Sequence, residues 1–139
     1  MGVVAFVLSL IGGLISFFQG GCGTVAGVIG SGMGDAVGGK EGAQMANEGA
    51  AMGGAGFLII IAAILAIVGG SFALAHKKAG YILLTISAVA CFIAYGVSGG
   101  IFQDAIIWGV VYLIADFCAY KSFKNTNTTA PVKQEESAN

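Results

Sequence analysis

The sequence predicts an all-α membrane protein: four transmembrane helices in one bundle, with a Gly-rich extracytoplasmic segment between helices one and two. Three observations lead there. Hydrophobic residues make up 57% of the 139 and charged residues only 9%, far from the balance of a water-soluble domain. Three long apolar runs, and a fourth holding two acids, approach the roughly 20 residues that cross a hydrocarbon layer of about 30 Å. The basic residues gather at the ends of these runs. One transmembrane domain over residues 1–120 and a polar tail over 121–139 account for the whole chain, with no separate soluble catalytic unit.

The first run, VVAFVLSLIGGLISFF, extends through its neighbours to a span of about 2–21. The second and third, GFLIIIAAILAIVGGSFALA and AGYILLTISAVACFIAYGVS, fill 56–75 and 79–98 without a charge. The fourth, IFQDAIIWGVVYLIADFCAY, fills 101–120 and carries Asp104 and Asp116 near its ends, where a carboxylate costs less than at the bilayer centre. The six basic residues are all lysine. His76, Lys77 and Lys78 occupy the turn between the second and third spans, and Lys121 and Lys124 follow the fourth. An excess of lysine marks the cytoplasmic side, so both termini are expected in the cytoplasm of a multi-pass inner (plasma) membrane protein. The N-terminal run is expected to be retained, because no Lys or Arg precedes it. Gln19 also stands where a lipobox ending at Cys22 would place an aliphatic residue.

The segment over 22–55 invites two false motifs. GDAVGGKE, Gly34 to Glu41, imitates a phosphate loop, and GCGTVA, Gly21 to Ala26, imitates a dinucleotide fingerprint. Neither follows a strand, and Glu41 stands where the phosphate loop needs a metal-ligating hydroxyl, so no nucleotide is expected. Nor do the residues indicate a metal, a cofactor or a nucleic acid. Cys22, Cys91 and Cys118 are an odd number without metal spacing, and the last two read as packing residues.

Fourteen of the 24 glycines lie between Gly20 and Gly56. Within them Gly30, Gly34, Gly38 and Gly42, continued by Ala46, Ala50 and Gly54, recur every fourth position. On a helix this would be a packing stripe, tolerable only with another backbone against it, since each interior glycine costs about 1 kcal/mol relative to alanine. Two forms stay open: a mobile external loop, or one or two short helices. Within the spans, Ala5, Ser9 and Gly13, then Gly12, Ser16 and Gly20, and in the second helix Ala62, Ala66 and Gly70, form small-residue faces suited to close packing in lipid.

Asp104, Trp108, Tyr112, Asp116 and Tyr120 make a polar-aromatic stripe along the fourth helix, with Asp104, Tyr112 and Asp116 as a candidate proton or cation path. Simpler roles are also available. Asp104 suits a helix N-terminus, Tyr120 an interfacial aromatic belt, and Asp116 a pairing with Lys121, Lys77 or His76. The tail from Lys121 is too polar for a core and is expected to be disordered.

The segments LSLIGGLISFF, IIIAAILAIVGGSFA and AGYILLTISA, with the short basic turn between the last two, resemble a family of small bacterial four-helix membrane proteins classified only as a domain of unknown function. The resemblance implies a four-span bundle and no activity. The expected partners are the lipid bilayer and either a second copy or another membrane protein. A small proton or cation channel or transporter, and a toxin-immunity-like protein, are the alternatives.

Overall fold

The computed structural model describes residues 2–75 and 77–128, and it is an all-α four-helix bundle. Helix α1 spans Gly2–Val37, α2 Gly39–Leu74, α3 Lys78–Val97 and α4 Asp104–Thr128. Each helix packs on the next, and α4 closes back onto α1. All four are long and apolar enough to cross a membrane.

The core is built from small side chains. Ala5, Ala62, Ala66, Ala88 and Ala115 are fully buried, and Leu84, Cys91 and Tyr112 are the large residues sealed with them. Apart from Leu84 and Ile59, most of the bulky Val, Ile, Leu and Phe side chains point outward. This inversion of a soluble core follows from the solvent. Lipid tails are as apolar as leucine, so helices gain more by bringing backbones together over small residues than by hiding large ones.

The helices differ greatly in length, and the difference shapes the molecule. At 1.5 Å per residue, the 20 residues of α3 reach about 30 Å, whereas the 36 residues of α1 and of α2 reach about 54 Å. Contacts fix the levels. Gly80 of α3 lies against Gly69 and Ala73 of α2, Ser87 bonds the Ala62 carbonyl, and Ala94 shares a cluster with Ala55. Phe102, in the turn before α4, lies over Gly23 of α1. Beyond Gly23 and Ala55, the end of α3 and the following turn (Val97, Ser98, Gly99 and Ile101) still border a groove with Gln44, Asn47, Glu48 and Ala51 of α2, and past that groove the two long helices continue alone as a paired arm to Gly38.

The arm corrects the expectation for residues 22–55. They form neither a loop nor separate short helices but the outer parts of α1 and α2, interrupted only at Gly38. The chain reverses there because Gly38 and Gly39 adopt φ of 67° and 70°, a region that L side chains rarely enter. The Gly38 N–H still donates to the Gly34 carbonyl, and the Gly38 carbonyl accepts from Gly42 N–H, each at 3.2 Å.

The fourth helix also departs from its expected limits. It begins at Asp104 and runs on through Thr128, so the first eight residues assigned to the tail, 121–128, are helical. Packing explains the extension: Ser122 is buried, and the Phe123 ring lies 6.3 Å from that of Tyr81 on α3. The remainder of the tail, 129–139, and His76 lie outside the described residues.

Candidate functional site

Two groups of residues carry the distinctive chemistry, a glycine seam between α1 and α2 and a set of polar side chains on α4. The seam is built on a repeat of seven. Gly13, Gly20, Gly27 and Gly34 of α1 are buried, as are Gly42, Gly49, Gly56, Ala63 and Gly70 of α2. Seven residues make nearly two helical turns, so every seventh position returns to the same face. Because the helices run antiparallel, Gly34 meets Gly42, Gly27 meets Gly49, Gly20 meets Gly56 and Gly13 meets Ala63.

These are backbone-to-backbone contacts. A methyl on Gly20 would lie 2.7 Å from the Gly56 carbonyl oxygen, and one on Gly56 would lie the same 2.7 Å from the Gly20 oxygen. A methyl on Gly34 would fall 2.5 Å from both the Ala46 nitrogen and the Gly42 oxygen. At Gly70 the opposing group is the Ser9 side chain, whose hydroxyl donates to the Phe6 carbonyl at 2.9 Å.

The four-residue stripe is thereby divided. Gly34 and Gly42 face each other across the seam, on different helices. Gly38 is the exposed turn between them and packs on nothing within 4 Å. Gly30 sits at the edge, half-buried, where a methyl would touch the Gly49 Cα at an ordinary 3.4 Å. A four-residue step drifts by about 40° on a helix, so it leaves a facing seam that a seven-residue step keeps. Gly13 and Gly20 belong to the small-residue faces expected on the first helix, whereas the heptad glycines Gly27, Gly49 and Gly56 escaped the fourfold pattern, although their spacing is written in the chain.

On α4 the three candidate residues have separate partners. Asp104 is exposed at the helix start, where its Oδ2 accepts from the Gln19 amide of α1 at 3.2 Å. Tyr112 is fully buried and its hydroxyl donates to Ser16 Oγ of α1 at 2.9 Å. Asp116 is half-buried and turns the other way, its Oδ2 accepting from Thr85 Oγ1 of α3 at 3.1 Å, rather than meeting Lys121 or Lys77; the expected alternative partner His76 lies outside the described residues. Thr85 is also 2.9 Å from the Tyr81 carbonyl, and its single proton serves one acceptor at a time. Asp116 Oδ1 is buried without a hydrogen-bond partner. Sequence reasoning identified the three α4 residues but not Gln19, Ser16 or Thr85 as their partners, because each pair joins distant helices.

Away from α2, the outer face of α1 is uncovered. Phe17, Phe18, Gly21, Cys22, Val25 and Ile29 border an apolar groove of about 470 Å³. Beyond it Val28, Ile29, Met33 and Val37 are each more than half exposed along the arm. The first charge on α1 is Asp35. The α2 side of the arm differs, presenting Lys40, Glu41, Gln44, Asn47 and Glu48, all exposed.

Taken together, the four spanning helices, the small-residue core and the outward bulky side chains define an integral membrane protein of the multi-pass helical class. Compared with known families, curated proteins and solved structures, the chain has no match.

Proposed function

We propose that the chain is a noncatalytic integral membrane protein that assembles, with itself or with another membrane protein, through the outer face of α1. The observation that carries this reading is the uncovered apolar strip Val25, Val28, Ile29, Met33 and Val37 on a part of α1 that outreaches α3 and α4. An exposed contiguous apolar strip outside the lipid marks an interaction surface. The rigid glycine seam supports it, since a stiff arm presents a fixed face without the ordering cost of a loop. The lysine distribution supports an extracytoplasmic arm in this reading, with both termini in the cytoplasm. A four-span protein without activity also agrees with the resemblance to the small bacterial family.

The test is disulfide and chemical crosslinking in native membranes from single cysteines at Val25, Ile29 and Met33, with Cys22 replaced by Ala. Strong crosslinks to one defined species at these positions, and weak ones from Lys40 or Gln44 across the arm, are expected. Equal, weak crosslinking from both sides of the arm would sink the proposal. Gly34 and Gly42 are unsuited as probes because a side chain there would break the seam.

One observation favours a second reading, a small proton or cation channel or transporter. Asp116 Oδ1 is a carboxylate oxygen buried in a spanning helix without a hydrogen-bond partner, and ionisable groups in such helices commonly mark ion paths. Flux into reconstituted vesicles that disappears in an Asp104→Asn, Asp116→Asn variant would establish it. Equal flux in protein-free vesicles would remove its support.

A further inference from the structure

At the bundle end opposite the arm, the fold brings together lysines that are far apart in the sequence. Lys77 and Lys78 precede α3, and Lys121 and Lys124 lie in the last turns of α4. Aromatic rings join the two groups. Tyr81 meets Tyr120 edge to face at 5.8 Å, Phe123 lies 6.3 Å from Tyr81, and Lys78 Nζ stands 5.6 Å from the centre of the Phe123 ring. Lys77 Nζ is likewise 5.8 Å from the Phe72 ring. Lys77, Lys78 and Lys121 are exposed.

Among the described residues the charge at this end is one-sided. Neither the first 34 residues nor residues 49–103 contain Asp or Glu, and none lies between Asp116 and Glu135. Asp116 itself is more than a turn deeper, and its accepting oxygen is bonded to Thr85. The exposed ammonium groups of Lys77, Lys78 and Lys121 therefore border a rim whose described residues supply no carboxylate at their level. The rings set the depth. Tyrosine and phenylalanine beside lysine straddle a hydrocarbon–headgroup boundary, with the ring toward the acyl chains and the ammonium toward the phosphates.

We infer that this rim, formed by Lys77, Lys78 and Lys121 around Tyr81, Tyr120 and Phe123, is a binding surface for the phosphate headgroups of acidic phospholipids. The occupant is a lipid rather than a free phosphate because the site offers apolar ring surface next to its charge, which only a molecule with acyl chains can use. Lysines at a membrane surface attract acidic lipid by an amount equivalent to about fivefold in occupancy each. The surface is independent of the α1 face and of whatever assembles there.

Full-length protein in nanodiscs of phosphatidylcholine with a minor share of phosphatidylglycerol, released into mild detergent and weighed by native mass spectrometry, reports which lipids stay bound. Phosphatidylglycerol is expected to be retained over phosphatidylcholine. Lys78→Gln and Lys121→Gln should each lower that preference about fivefold, whereas Lys78→Arg and Lys121→Arg should keep it and show that the fold tolerates change there. Lys40→Gln, at the far tip of the arm, should leave it unaltered. The inference is overturned if the Gln variants retain the wild-type preference or if Lys40→Gln lowers it equally. Displacement by millimolar inorganic phosphate would also overturn it, exposing a simple anion site.

Discussion

Gly20 and Gly21 are neighbours at the same depth of the same helix, yet the structure gives them opposite surroundings. A methyl added to Gly20 would lie 2.7 Å from the Gly56 oxygen, 2.9 Å from Ile60 Cγ1 and 3.0 Å from the Ile60 nitrogen, whereas one added to Gly21 meets nothing within 4 Å. Carbon contacts are comfortable from about 3.5 Å, so Gly20→Ala must open the seam locally by about 0.8 Å. A gap of that size forfeits a quarter to a half of each contact, worth about 0.1–0.2 kcal/mol apiece. A side-chain-sized patch of about 40 contacts then loses about 2 kcal/mol. Both substitutions gain the same helix propensity, about 1 kcal/mol, which cancels between them. Gly20→Ala should therefore be about 2 kcal/mol less stable than Gly21→Ala, about 30-fold in the unfolding equilibrium. SDS titration in lipid–detergent micelles, followed by circular dichroism, measures the difference. A gap below about 0.5 kcal/mol, the ordinary scatter of surface substitutions, would refute the close approach of α1 and α2.

Three further outcomes follow from single contacts. Gly38 has φ 67° and ψ 178°, a region open essentially to glycine alone, so Gly38→Ala should cost about 2 kcal/mol and speed hydrogen exchange in the arm; Gly38→Asn should rescue neither. Tyr112→Phe removes the hydroxyl bonded to Ser16 and should cost about 1 kcal/mol in the same titration; Ser16→Ala added to it should cost little more, and fully additive losses would contradict the bond. Ser87→Ala, which deletes the 2.6 Å bond to the Ala62 carbonyl, should cost a similar amount of about 1 kcal/mol; no loss would mean that α2 and α3 hold by packing alone.

The four spans were legible because apolar run length is a direct physical requirement of the bilayer, and the expected spans 56–75 and 79–98 lie within a few residues of the α2 and α3 ends at Leu74 and Val97. The arm was obscured by its glycines, which local propensity reads as loop. Helix is restored there by the partner backbone, and a partner 8 residues away for Gly34 and Gly42, or 22 for Gly27 and Gly49, is invisible to propensity. Gly27 and Gly49 illustrate the point: each is a poor helix former alone and becomes a fitting one only when the other faces it. The α4 stripe was legible as a periodicity, but whether Asp104, Tyr112 and Asp116 share one path depends on which neighbour each selects. Gln19 and Ser16 turn Asp104 and Tyr112 to α1, while Thr85 turns Asp116 to α3.

The seven-residue seam also makes the arm a ruler. Facing positions in α1 and α2 sum to the same value, as Gly34 with Gly42, Gly27 with Gly49 and Gly20 with Gly56 do, so the register is symmetric about the Gly38–Gly39 reversal. Removing residues 28–34 together with 42–48 would bring the next glycine pair to the tip and shorten the arm by about 10 Å with the seam intact. Removing seven from one helix alone would slide α1 along α2 by one glycine pair, with Gly27 opposite Gly42 and Gly20 opposite Gly49, and would shift one helix by about 10 Å against α3 and α4. The seam keeps glycine opposite glycine only for changes in whole heptads, and the rest of the bundle keeps its level only when both helices of the hairpin change together.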